Sequence, residues 1–151
     1  MEFSEITKKY WEPKDWEDLA NVKSFKDLYI IAERVIARQP KPIIQVCGPI
    51  ATGGLGTIEA NLNAFNETIK KLQDQGFSIF DQMPYEEPMQ TLKTLDPSDD
   101  HLERILTDFY WPIFNSGLVS AMYFMPNWQT SNGATKEHAK AIELGIKIVY
   151  L

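Results

Sequence analysis

Cysteine is almost absent from this chain. Cys47 alone cannot close an internal disulfide, so a reducing compartment is expected. Histidine is scarce too. With only His101, His138 and one cysteine, no plausible zinc set exists. No window approaches the roughly eighteen apolar residues of a membrane span. The first fifteen residues hold charges and no apolar core, which predicts no secretory leader. Positive charge is also in deficit: 15 Lys and Arg stand against 21 Asp and Glu, a net charge of -6. That balance argues against a general nucleic-acid surface but leaves a single nucleotide open as ligand. No internal repeat or low-complexity tract occurs. A soluble, cytoplasmic protein that binds neither nucleic acid nor membrane is expected.

What is present is globular in character. The 151 residues, 44% hydrophobic and 12% aromatic, suffice for one domain with a real core. Residues 1–40 read as an N-terminal helical extension. Ser24 with Asp27 can start a helix, and Phe25, Leu28, Ile31, Ala32, Val35 and Ile36 share one face until Pro40 and Pro42 stop it. Residues 41–151 then alternate strand and helix. Ile43 to Cys47 is a short strand, and Ile58, Leu62, Phe65, Ile69 and Leu72 recur with helical spacing before a C-cap at Gly76. Phe77 to Phe80 is a second strand ending at Asp81. Gln82 to Pro97, with Pro84, Pro88 and Pro97, has no clean period and reads as a loop or lid. Ser98-Asp99-Asp100 caps a helix carrying Leu102, Ile105, Leu106 and Phe109. Apolar runs Leu118 to Met125 and Ile146 to Leu151 are the last two strands, with a helix between them. This alternation implies an α/β fold with a parallel sheet and right-handed crossovers.

Two polar segments follow strands and open helices. The first, Thr52-Gly53-Gly54-Leu55-Gly56-Thr57, is either a tight turn or a phosphate cradle built from N–H groups and a helix dipole. It is neither a Walker A loop nor a dinucleotide fingerprint, since Glu59 stands where the third glycine belongs. The second is Met125-Pro126-Asn127-Trp128-Gln129-Thr130-Ser131-Asn132-Gly133-Ala134-Thr135-Lys136-Glu137, expected to place Glu137 in the first turn of a helix. There it is either a glutamate favoured by the helix dipole or a reactive carboxylate. Ser131 fits an N-cap, a ligand contact, or both. Trp128 and Tyr85 fit either covered aromatics or stacking partners for a nucleobase. The histidines read as surface or supporting polar groups.

Gly53-Gly54-Leu55-Gly56-Thr57-Ile58-Glu59 resembles the Gly-Gly-x-Gly-Thr-x-x-Glu motif of the cytokinin-activating phosphoribohydrolases, although in that family the motif follows a later strand. A stronger resemblance covers residues 43 to 151. Cys47-Gly48-Pro49-Ile50, Asn61-Leu62-Asn63-Ala64-Phe65, Gly76 and Ser131-x-Gly133-x-x-x-Glu137 together resemble the nucleoside 2-deoxyribosyltransferase-like superfamily. The set is similar to its 2′-deoxynucleoside 5′-phosphate N-hydrolases and to a bacterial and phage branch with a Pro-x-Trp…Ser-x-Gly-Ala…Glu-His signature. That resemblance implies a single-domain Rossmann-like (flavodoxin-like) three-layer sandwich, with four or five parallel strands behind the helical extension.

The resemblance also implies a chemistry. Glu137 would be the nucleophile that attacks the anomeric carbon of a nucleoside, and Asp108 the acid that serves the leaving base. Gly48, Pro49, Thr52, Gly53, Gly54, Asp81, Trp128, Ser131, Asn132 and Gly133 would bind substrate, and no cofactor or metal is implied. The implied partner is a small nucleoside or nucleoside 5′-monophosphate, and relatives commonly assemble as homodimers, so a homodimer or higher homo-oligomer is expected. Two departures bear on activity. Ser116 stands where relatives often carry an aspartate. Pro112, four residues after Asp108, cannot donate to the Asp108 carbonyl and crowds it, which predicts a kink there. The alternative is a nucleotide-binding or sensing module with a weakened site.

Overall fold

The structure, a computed structural model, describes residues Met1–Leu151. In chain order its elements are α1 (Glu5–Lys8), α2 (Pro13–Ala20), α3 (Phe25–Arg38), β1 (Ile43–Cys47), α4 (Ile58–Asp74), β2 (Ser78–Ile79) and α5 (Met83–Leu95). Then come α6 (His101–Ile105), a π turn (Leu106–Tyr110), α7 (Trp111–Asn115), β3 (Val119–Phe124), a 3-10 turn (Trp128–Thr130), α8 (Asn132–Leu144) and β4 (Lys147–Tyr150). They group into two compact units: Pro40–Asp81 with Val119–Leu151, and Met1–Gln39 with Gln82–Leu118. No helix is long and apolar enough to cross a membrane.

The first unit holds the sheet. All five residues of β1 are buried, as expected of a strand with neighbours on both sides in a parallel sheet. The four strands are all parallel, in the order β2-β1-β3-β4, so the fold is α/β of the Rossmann or flavodoxin kind. β1 is central, with Ile44 opposite Ile79 on one side and Cys47 opposite Phe124 on the other. Helix α4 buries Phe65, Ile69 and Leu72, the expected stripe, and Gly76 follows its end at φ +94°. β2 is shorter than the expected Phe77-to-Phe80 strand.

In the second unit, α3 buries all six of its expected core residues, and the Ser24 hydroxyl accepts from Asp27 N at 3.2 Å. Its opposite edge carries two arginines onto one acid. Asp15, with no exposed side-chain surface, accepts from Arg34 Nε at 2.9 Å, from Arg38 Nη1 at 2.5 Å and from Glu12 N at 2.8 Å. Burial alone would raise its pKa; the Arg38, Glu12 and Arg34 hydrogen bonds outweigh it and hold the carboxyl below its ordinary value. Tyr85 is fully buried, with Trp11 at 5.4 Å and Phe109 at 5.1 Å between ring centroids, so it is a core aromatic.

Two expectations meet different outcomes here. The stretch read as a loop or lid is instead mostly the helix α5. Pro84 lies in the first turn, where a missing N–H costs nothing, and Tyr85, Met89 and Leu92 supply a helical stripe that the prolines mask in the sequence. The break expected at Asp108 takes the form of the π turn. Trp111 N bonds Leu106 O, five residues back, and Pro112 begins the next helical segment without a donor.

Glu86, on α5, is buried, and burial pushes its carboxyl up to about 7, against a weaker opposing pull from Lys93. The folded protein therefore keeps a proton that the unfolded chain releases near 4.5. Stability is full below that pH and falls by roughly 3 kcal/mol as pH rises towards 7. Glu86→Gln should flatten this slope in urea denaturation at pH 5 and 7.5; an unchanged slope would refute it. Asp15→Ala removes one acceptor from each of two half-exposed arginines, which keep Asp18 and Glu12, and should cost about 2–3 kcal/mol in the same assay.

Candidate functional site

The chain leaves β1 to pair β2 on one side and later returns to pair β3 on the other. The segments that follow β1 and β3 therefore diverge from adjacent strand ends, which is where ligands bind in open α/β sheets. Met125 N bonds Cys47 O at 2.8 Å, holding the two ends together. Gly48 and Pro49 are buried directly after β1, while residues 51–59 are exposed.

The two polar segments are clasped to each other. Asn132 N donates to Thr52 Oγ1 at 2.9 Å, and Gly54 N donates to Thr130 Oγ1 at 2.8 Å. Gly53 and Gly54 both adopt left-handed backbone, φ +68° and +63°. A Cβ on Gly53 would stand 2.2 Å from Thr130 O, and one on Gly54 would stand 2.5 Å from Asn61 Oδ1, so only glycine fits either position. Asn61 secures the loop from below. Its Nδ2 donates to Ile50 O at 2.9 Å and to Gly53 O at 3.1 Å, and its Oδ1 accepts from Leu55 N at 2.8 Å. The glycine-rich segment is thus held as a tight, internally bonded turn. At the start of α8, Ser131 Oγ caps Ala134 N at 3.1 Å and Thr135 N bonds Ser131 O. Gly133 contributes the remaining early N–H.

Glu137 is 7% exposed and lies in the second turn of α8, not the first, because the helix begins at Asn132 behind its Ser131 cap. A dipole-favoured first-turn glutamate is therefore not what this residue is. Cys47 Sγ lies 3.5 Å from Glu137 Oε2 and donates to it. Burial first, and the Glu137 charge second, raise the Cys47 thiol well above its ordinary pKa, so it stays protonated. Asp81 is buried just after β2. Trp128 is half-covered: His138 stacks on it at 4.2 Å, Tyr150 lies parallel at 6.1 Å, and the His138 ring bonds the Tyr150 hydroxyl at 2.7 Å. No group of three or more His, Cys, Asp and Glu side chains converges to hold a metal ion.

The chain matches no known family model, no curated protein and no solved structure. Its site is read from its own geometry.

Ten of the eleven other expected positions, Gly48, Pro49, Thr52, Gly53, Gly54, Asp81, Trp128, Ser131, Asn132 and Gly133, belong to the sheet-bearing unit with Glu137. Asp108 belongs to the other unit, half-buried in the π turn, with its Oδ1 3.4 Å from the Thr107 hydroxyl. Ser116 caps α7, donating to Ile113 O at 2.5 Å and accepting from Leu118 N at 3.2 Å. The roles of Cys47, Asn61 and Thr130 were not anticipated. Asn61 had a visible signal, for it lies on the buried stripe of α4 with Phe65, Ile69 and Leu72, where a polar side chain needs partners.

Asn61→Ala should release the turn. Three hydrogen bonds disappear: the Ile50 carbonyl and the Leu55 N–H lose the Asn61 partner, and the Gly53 carbonyl keeps only Gly56 N. The expected loss is about 2–3 kcal/mol of stability, with faster amide exchange at Gly54 and Leu55. Exchange at wild-type rates would overturn the clasp.

Proposed function

We propose that this protein cleaves or transfers the N-glycosidic bond of a nucleoside or nucleoside 5′-monophosphate, with Glu137 as nucleophile. The observation that carries the reading is a buried carboxylate at the switch point of a parallel sheet. Glu137 lies on the helix that the second polar segment opens and accepts from a thiol at the end of β1. The sequence resemblance assigns the same residue the same role.

In the proposed reaction, a Glu137 carboxylate oxygen attacks the anomeric carbon. The carbon–nitrogen bond breaks, its electron pair leaves with the base, and the base takes a proton from a general acid or from water. Water or a second base then displaces the sugar from the glycosyl ester and restores the carboxylate. Fixed dipoles and carboxylates supply what this chemistry needs.

The loop geometry favours the nucleoside over its 5′-monophosphate. A phosphate dianion wants several N–H donors, whereas those of Gly54, Leu55, Asn132 and Ala134 already have partners within the protein. The second reading, a weakly catalytic nucleotide-binding module, rests on Ser116 and Pro112, the two departures from the resembled family.

Incubation with ribo- and deoxynucleosides and their 5′-monophosphates, followed by chromatography of free base, tests the proposal. Base release is expected from at least one nucleoside, falling at least about 10³-fold in Glu137→Gln, which keeps size but not charge. Equal release by the variant, or none by the wild type, would reject the enzyme reading. Binding without release would favour the second.

A further inference from the structure

Cys47 is the most enclosed reactive group in the sheet-bearing unit, 1% exposed and fixed by the pairing of its own strand. Its carbonyl accepts from Met125 N at 2.8 Å, and it pairs with Phe124 on β3. A thiol on so rigid a backbone has one orientation problem, the rotation of its own side chain. The 3.5 Å contact to Glu137 Oε2 settles that rotation.

The contact is directional. Burial and the neighbouring carboxylate keep the thiol protonated, so the sulfur donates and the carboxylate accepts. A buried carboxylate without a donor would carry the full penalty of desolvation. The Cys47 thiol is one donor that offsets part of it. Protonated and buried, Cys47 is itself neither nucleophile nor redox sensor.

We propose that Cys47 is a positioning residue for Glu137: its S–H donates to Oε2 and sets the plane in which the carboxylate presents itself to the sugar. This rests on the glycosidic reading above. It adds a residue from the end of β1, reached across 90 positions of sequence, to the reacting carboxylate on α8.

Two measurements test it. The infrared S–H stretching band of Cys47, the single thiol of the chain, reads the contact without turnover. The band should lie at lower frequency in the wild type than in Glu137→Gln, where the acceptor loses its charge. Steady-state base release reads the consequence. Cys47→Ala should lower kcat about 10-fold with KM nearly unchanged, the size expected for one positioning hydrogen bond. Cys47→Ser keeps a donor and should recover most of that loss, and circular dichroism confirms that each variant is folded.

An S–H band at the same frequency in both proteins overturns the proposal whatever the kinetics. A lowered band with wild-type kcat in Cys47→Ala, or no recovery in Cys47→Ser, overturns it as well, because the contact is then only packing. Absence of base release from the wild type rejects the reaction and with it the role of Cys47. The band still reports whether the hydrogen bond exists, so the two failures are told apart.

Discussion

The pairing of β1 with β3 is the constraint on which the candidate site depends. β1 is followed in sequence by β2, yet β3 takes its other edge, so the chain must change direction between the ends of β1 and β3. Backbone leaving two parallel neighbours in opposite senses cannot cover the ends of both, and a gap opens there. The clasped polar side chains of the candidate site come from the segments that leave those two strands or from the helices they open. Cys47 and Glu137 meet because one ends the central strand and the other rides the helix that follows its neighbour.

How the gap is lined follows from hydrogen-bond satisfaction. Loop N–H groups that water does not serve need acceptors, and here these are Thr52, Thr130 and Ser131 of the same two segments and Asn61 of α4. A loop bonded in this way is preorganised and has little capacity left for a multiply charged guest. Glu137 is buried and accepts from the Cys47 thiol.

Elements with a clean hydrophobic period were legible in the sequence. The six-residue face of α3, the run Ile43 to Cys47 and the stripe of α4 follow from spacing alone, because local backbone periodicity and burial agree in them. α5 was hidden because Pro84 and Pro88 look like breakers until one sees that the first lies in the opening turn. Glu137 was placed one turn too early, since the strength of a Ser131 cap is a matter of geometry rather than composition. Cys47 and Thr130 could not be found at all by spacing. Their partners lie 90 and 76 positions away, and only the sheet order brings them together.

The π turn around Asp108 is a case where local chemistry dictates an irregular shape. An α-helix running through Pro112 would press the ring against the carbonyl of Asp108 and leave that carbonyl without its donor. Widening the preceding turn by one residue, with Trp111 N reaching back to Leu106 O, relieves the crowding and lets the helical segment resume at α7. Phe109 and Tyr110 remain buried on the inner side of this turn, while Asp108 stays half-exposed beside Thr107. The position of that carboxylate is thus set by a proline four residues on, not by a salt bridge.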